Sequence, residues 1–153
     1  MAKNKMRRCF VAILDPHPSR AEVTALWDYF QSSCAYCGVL LDRLSRNGHM
    51  DHILSSAMGG SNDIHNHLLA CAVCNGDEKR DEEWSSFLAR KVADSELAAD
   101  RHARISAWIE RAEIGNGLDP SVRSQAETII AEALNDFDAA VQKLRALRQA
   151  TDE

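Results

Sequence analysis

Cys34-Ala35-Tyr36-Cys37 and Cys71-Ala72-Val73-Cys74 are two cysteine pairs of the same spacing, with residues 38–70 between them and Asn75 directly after the second. Cysteines two residues apart form a tight knuckle that aims both sulfurs at one ion, and a second knuckle completes a tetrahedral thiolate shell. The chain is therefore expected to fold around a structural Zn2+ held by Cys34, Cys37, Cys71 and Cys74. A redox role for the first pair is the competing use, but such a motif belongs at a helix start after a strand and needs no second pair. A closed zinc site contributes about 10 kcal/mol to the folding of a small domain. The fifth cysteine, Cys9, is expected to be buried as a small hydrophobe.

With 153 residues, 45% of them hydrophobic, the chain can bury one core with a helical appendage but not two large independent domains. Lys3, Lys5, Arg7 and Arg8 precede the apolar stretch Cys9 to Leu14, which stops at Asp15-Pro16 and is too short for an export signal. No apolar run approaches the roughly 20 residues that span a bilayer. These features, with an odd number of cysteines, point to a reducing cytoplasm and no membrane association. The net charge of −5 is unevenly spread: residues 1–80 hold nine basic and eight acidic side chains, and the rest hold nine and fifteen. Long-range steering toward a polyanion should be feeble, so any phosphate contact depends on local patches.

The pattern along the chain is α+β. Residues 6–14 read as a short apolar strand or core segment. Ser19-Arg20-Ala21-Glu22 has the form of a capping box and opens a helix over 20–31 with Val23, Leu26, Trp27 and Phe30 on one face. Residues 39–44 and 49–54 flank Asn47-Gly48, the dipeptide best suited to a type I′ turn, and predict a hairpin with Asp51-His52 at or near a strand end. Gly59-Gly60 and Ser61-Asn62-Asp63 mark an irregular loop over 55–66. Helical structure is expected from about Ala72, placing Asn75 in a first turn. Trp84, Phe87, Leu88 and Val92 predict one further helix, residues 95–114 a second that ends at Gly115-Asn116-Gly117, and Asp119-Pro120 the start of a last one. In that last helix Ile130, Leu134, Phe137, Val141 and Leu144 make a heptad-like stripe, suited to the 84–113 helices or to a second chain.

The string Asp51-His52-Ile53, Gly59-Gly60, Asn66 and Leu69-Ala70-Cys71-Ala72-Val73-Cys74-Asn75, with Lys79 after it, resembles the HNH endonucleases of the ββα-metal type that carry a four-cysteine zinc. The resemblance covers residues 34–80. It implies a small zinc-braced ββα-metal core; the patterning on either side flanks that core with an N-terminal helix and a C-terminal helical extension, with a boundary expected between residues 1–83 and 84–153. It further implies that Asp51 and Asn75 hold a divalent cation, Mg2+ or Mn2+, that His52 is the general base, and that Asn66 braces the loop between the strands. The leucine usual after the middle asparagine is His67 here, and the usual lysine position is Glu78, with Lys79 one place later.

Chemistry agrees with that implication. A phosphodiester resists attack because its oxygens are already negative, so hydrolysis needs an electrophile for the phosphoryl charge and a base for the water. A hard cation takes a carboxylate and an amide oxygen and keeps positions for water and substrate. An imidazole, whose ordinary pKa is about 6.5, is a competent base at cellular pH. Arg43, Arg46, Lys79 and Arg80 surround these groups in sequence and are expected to contact substrate phosphates. The reading is a metal-dependent DNA endonuclease, with RNA the less favoured substrate and a homodimer or protein partner reached through the C-terminal helices. The alternative is a catalytically silent zinc-stabilised binding or adaptor module.

Overall fold

The computed structural model describes residues 2–55, 58–112 and 119–151. The expected helix end at Gly115-Asn116-Gly117 and residues 56 and 57 of the expected loop lie outside the described residues. The chain divides into two compact units, residues 17–117 and residues 1–16 with 118–153. The boundary expected at 83/84 falls inside the first.

In the larger unit, α1 spans Arg20–Tyr29 and is opened by Ser19, whose hydroxyl accepts from the Glu22 amide while the Glu22 carboxylate accepts from the Ser19 amide. It stops at Phe30 because Gln31 and Ser32 both take left-handed backbone angles. Leu26, Trp27 and Phe30 are buried and Val23 packs beside them, so the predicted face is the face that reaches the core.

Two strands follow, β1 Gly48–His52 and β2 His67–Cys71, paired antiparallel with Gly48 opposite Cys71, Asp51 opposite Leu68 and His52 opposite His67. The hairpin across Asn47-Gly48 does not form. Residues 33–40 are taken up by the first knuckle, where the Cys34 amide bonds the Val39 carbonyl and the Gly38 amide the Cys34 carbonyl. The Asn47 side chain accepts from the Asp42 amide instead, closing a turn ahead of β1. The partner of β1 comes from beyond the loop, and its last residue is the first cysteine of the second knuckle. A 3-10 turn, Ile64–Asn66, precedes β2, and a π-helical turn, Val73–Lys79, follows it. Together these give a ββα core.

Two more helices complete this unit: α2, Trp84–Lys91, capped by the Glu83 carboxylate on the amides of Ser85 and Ser86, and α3, Ser95–Ile109, capped by Asp94. Phe87, Leu88, Ile105 and Trp108 from these helices are buried with Tyr36, Leu68 and Leu69 of the ββα core. They are part of the same hydrophobic cluster, and Trp108 Nε1 donates to the buried His67 carbonyl at 2.9 Å.

The second unit pairs an N-terminal helix, α4 in our labelling (Ala2–Leu14), with the long C-terminal helix α5 (Pro120–Thr151). Residues 6–14, expected as a short strand or core segment, are helical: Met6, Phe10 and Val11 lie at helical spacing and are half-buried. Lys3 bonds Asp138 at 2.6 Å, and Arg7 bonds Glu127. Cys9 is exposed, contrary to the expectation of burial, because it lies off that half-buried face. Asp119 caps α5 by accepting from the Ser121 amide. Its predicted stripe is used against the N-terminal helix: Ile130 is buried and Leu134, Phe137 and Val141 are half-buried. Leu144 is exposed, since a 13-residue helix covers about 20 Å of a partner more than twice as long. Among the described residues no helix is long and apolar enough to cross a membrane.

Trp108→Phe keeps most of the packing but leaves the His67 carbonyl without its buried donor. The zinc-loaded variant should lose about 1–3 kcal/mol, read from its urea midpoint.

Candidate active site and metal centre

The four thiols converge. The Sγ atoms of Cys34, Cys37, Cys71 and Cys74 all lie within 4.8 Å of one another, and Cys37 and Cys71 are 3.8 Å apart. A tetrahedron with Zn–S bonds of about 2.3 Å has S···S edges of about 3.8 Å, so the donor set fits zinc in number and the Cys37–Cys71 pair already has that edge. The Cys74 amide points at the Cys71 sulfur at 3.4 Å. Without a cation these groups are in conflict. Burial pushes the Cys34 thiol up to about 11 and, with its neighbouring sulfurs, raises that of Cys74. For Cys71 burial also acts upward, but hydrogen bonds from the Cys74 amide and the adjacent thiols carry it below its ordinary value. A divalent ion resolves the conflict by replacing the protons. Arg101 of α3 holds the first knuckle from outside, donating to the Tyr36 carbonyl at 2.6 Å. It stands against Gly38, where φ is +75° and a side chain would meet the guanidinium.

Asn66 fastens the loop between the strands. Its carboxamide accepts from the Leu54 amide at 3.0 Å and donates to the carbonyls of Leu54 and Ser61. Gly60 lies beneath it, with its Cα against the Leu54 carbonyl, and any Cβ there would collide with backbone. The loop is thereby held so that β1 ends at His52.

Successive strand residues point to opposite faces, and Asp51 and His52 do so. Asp51 turns inward and is 4% exposed. The Tyr36 hydroxyl donates to its Oδ2 at 2.7 Å, and the Lys79 ammonium lies 3.2 Å from Oδ2 and 3.4 Å from Oδ1. Burial raises the Asp51 carboxyl above the ordinary range; Tyr36 and Lys79, which favour its ionised form, offset part of that. Lys79 also donates to the His52 carbonyl at 3.2 Å.

The His52 ring packs on that of His67, centroids 4.1 Å apart, and its Nε2 is buried without a partner. His67 is itself locked, with Nδ1 2.8 Å from the Asp63 carbonyl. His52 also lines a cleft of about 130 Å3 with Lys79, Arg80, Asp81, Glu82 and Glu83. Asn75 sits half-buried on the π turn, with no side-chain hydrogen bond among the described residues.

The substrate residues separate. Arg80 is exposed at the cleft, in a left-handed conformation. Lys79, expected to meet phosphate, is 3% exposed and its ammonium is committed to Asp51 and His52. Arg43 does not face the cleft: it bonds Asp28 at 2.6 Å and lies over Trp27. Arg46 is exposed in the turn before β1. Asp51 and Asn75 as arranged do not fit a divalent cation, because the carboxylate already carries an ammonium.

Residues 34–81 match the HNH endonuclease family. The family is one of nucleases, and the matched segment contains the four cysteines, Tyr36, Asp51, His52, Asn66, His67, Asn75, Lys79 and Arg80. A relative, the SPbeta prophage-derived protein YoqL of Bacillus subtilis (strain 168), is named provisionally as an HNH endonuclease. It is 26% identical over 126 residues, covering 71% of this chain and 51% of its own length. The chain thus spans about half of that relative.

Sequence reasoning missed Tyr36. The signal was present as an aromatic inside the first knuckle, but its partner became visible only once the pairing of β1 and β2 set Asp51 above it. Arg101 and Trp108 gave no such signal.

Cys71→Ser should lower bound zinc from one ion per chain toward none, measured by atomic absorption. The same variant should unfold at markedly lower urea than wild type, while a surface control such as Arg46→Ser leaves both quantities unchanged.

Proposed function

We propose that the HNH segment hydrolyses phosphodiester bonds of DNA, with His52 as general base. The observation that carries this reading is the placement of His52. One ring nitrogen is buried and the ring packs on His67, so the orientation of the imidazole is fixed, while the ring borders a cleft lined by the exposed cation Arg80 and by Asp81, Glu82 and Glu83. A water there gives its proton to the free imidazole nitrogen as its oxygen bonds phosphorus. The P–O3′ bond breaks, the departing oxygen takes a proton from solvent, and the ends are 5′-phosphate and 3′-hydroxyl. Arg80 meets a non-bridging phosphoryl oxygen, and backbone contacts of this kind position substrate without reading sequence. Nicks are the natural product of one site per chain. Zinc is structural in this scheme. Asp51 carries an ammonium, so no step runs through a divalent cation, and assays with and without Mg2+ or Mn2+ decide whether one is required.

The second reading, a catalytically silent zinc-stabilised module, draws on that same Asp51–Lys79 pair, which ties up the carboxylate. Supercoiled plasmid separates the two. Zinc-loaded wild type should nick it, and His52→Ala should keep its zinc and urea midpoint while losing at least a hundredfold in nicking rate. Absence of nicking by wild type with every metal tried establishes the silent module. Arg80→Ala should weaken plasmid binding with a smaller effect on the single-turnover rate.

A further inference from the structure

The heptad-like stripe of α5 is taken up by α4, yet α5 carries a second strip that α4 leaves largely uncovered. Ile129, Asp136 and Lys143 follow one another at every seventh position, and Ala133, Ala140 and Leu147 form a neighbouring row four residues on. Positions seven apart drift by only about 20° on a straight helix, so the two rows make one strip, roughly 100° around α5 from the stripe that meets α4. Ile129 is 64% exposed and Leu147 65%, against 5% for Ile130 on the covered stripe. Asp136, Ala140 and Lys143 are exposed between them. The acids that α4 engages are different ones: Glu127 bonds Arg7 and Asp138 bonds Lys3.

The order of residues along this strip decides what fits it. An apolar side chain stands toward each end, an acid and a base lie between, and the alanines let a second helix backbone come close. Laid parallel and in register on a copy of itself, the strip sets Asp136 against Asp136 and Lys143 against Lys143, where like charges repel. Turned end for end about a two-fold axis at residue 138, it sets Ile129 of each copy against Leu147 of the other. Lys143 then stands opposite Ala133, three residues and about 4.5 Å along the helix from Asp136 of the other copy, within reach of its long side chain. A face complementary to itself under a two-fold is what an isologous dimer requires. The angle between strip and stripe also suits a four-helix arrangement, in which each α5 touches its own α4 on one side and the other α5 on the next.

We propose that two copies of this chain associate through α5, antiparallel, with Ile129 packed on Leu147 and Asp136 paired with Lys143 across the two-fold. Such a dimer carries two HNH segments in one particle. The inference stands apart from the nuclease reading, since it rests on α5 alone.

The test is sedimentation equilibrium of the zinc-loaded full chain over a series of micromolar concentrations. Wild type should approach twice its 17.0 kDa mass. Asp136→Lys and Lys143→Asp, made singly, each bring like charges together at two symmetry-related places and should weaken association about tenfold or more. The double exchange, Asp136→Lys with Lys143→Asp, restores opposite charges in the antiparallel pair but leaves like charges opposed in a parallel one. It should recover wild-type association to within about threefold. Both positions are exposed on a helix, so zinc content and helical circular dichroism should be unchanged in every variant. A wild type that stays monomeric overturns the proposal without any variant. Single reversals without effect, or a double exchange that fails to recover, overturn it as well. Nicking by a monomeric protein refutes this inference and leaves the nuclease reading standing; a dimer that never nicks does the reverse.

Discussion

Four sulfurs gathered within 4.8 Å of one another are the constraint on which the larger unit depends. Thiols crowded in this way have nothing to gain from one another as neutral groups, and as thiolates they repel in a poorly solvated place. A divalent ion reverses both terms, and it does so across residues 38–70, the segment that holds the whole β1 strand and its loop. The strand register follows from it. Cys71 both ends β2 and begins the second knuckle, so the thiol cluster fixes where β2 stops and thereby which residue of β1 lies opposite which. A slip of one residue would turn Asp51 outward and His52 inward, exchanging an ion pair for an imidazole against Tyr36 and Lys79.

The organisation of the site extends that constraint outward in steps. The first knuckle carries Tyr36 between its two cysteines, and the Tyr36 hydroxyl meets Asp51. The second knuckle leads into the π turn, and its last residue, Lys79, meets Asp51 from the other side and the His52 carbonyl as well. Both halves of the zinc site therefore converge on one carboxylate. His52 acquires its position as the next residue of the same strand, and the imidazole is steadied by His67 across the ladder. His67 is steadied in turn by the Asp63 carbonyl and by Trp108 of α3. That chain of contacts explains why α2 and α3 belong physically to the ββα core rather than to an appendage.

How much of this was legible in the sequence depended on the range of the interaction. The cysteine spacing, the Ser19–Glu22 capping box and the apolar face of α1 were readable because each is decided within a few residues. Asn66 was readable through resemblance, and its three hydrogen bonds give the physical reason such a residue belongs there. The hairpin at Asn47-Gly48 was misread because local turn chemistry was allowed to choose a strand partner that the zinc knuckle had already committed. The N-terminal segment, read as a short strand or core segment, hid its helix for a related reason: a short apolar run has no clear period, and the long C-terminal helix that gives its helical face something to cover lies a hundred residues away. Lys79 was misjudged because a lysine near a candidate phosphate site looks exposed until the carboxylate that captures it is seen.

A buried ion pair is poor evidence for stability, since desolvating two charges offsets much of their attraction. The Asp51–Lys79 pair is better understood as fixing geometry. An apolar pair of similar volume would fill the same space but would not tie the π turn to the carbonyl of His52, nor orient the Tyr36 hydroxyl. The ammonium makes three contacts that converge on two adjacent residues of β1, whereas an aliphatic side chain has no preferred bearing on either. Burial raises the Asp51 carboxyl above the ordinary range, and the Tyr36 hydroxyl and the Lys79 ammonium offset part of that rise. A fold that needed only a core would have little use for such an arrangement.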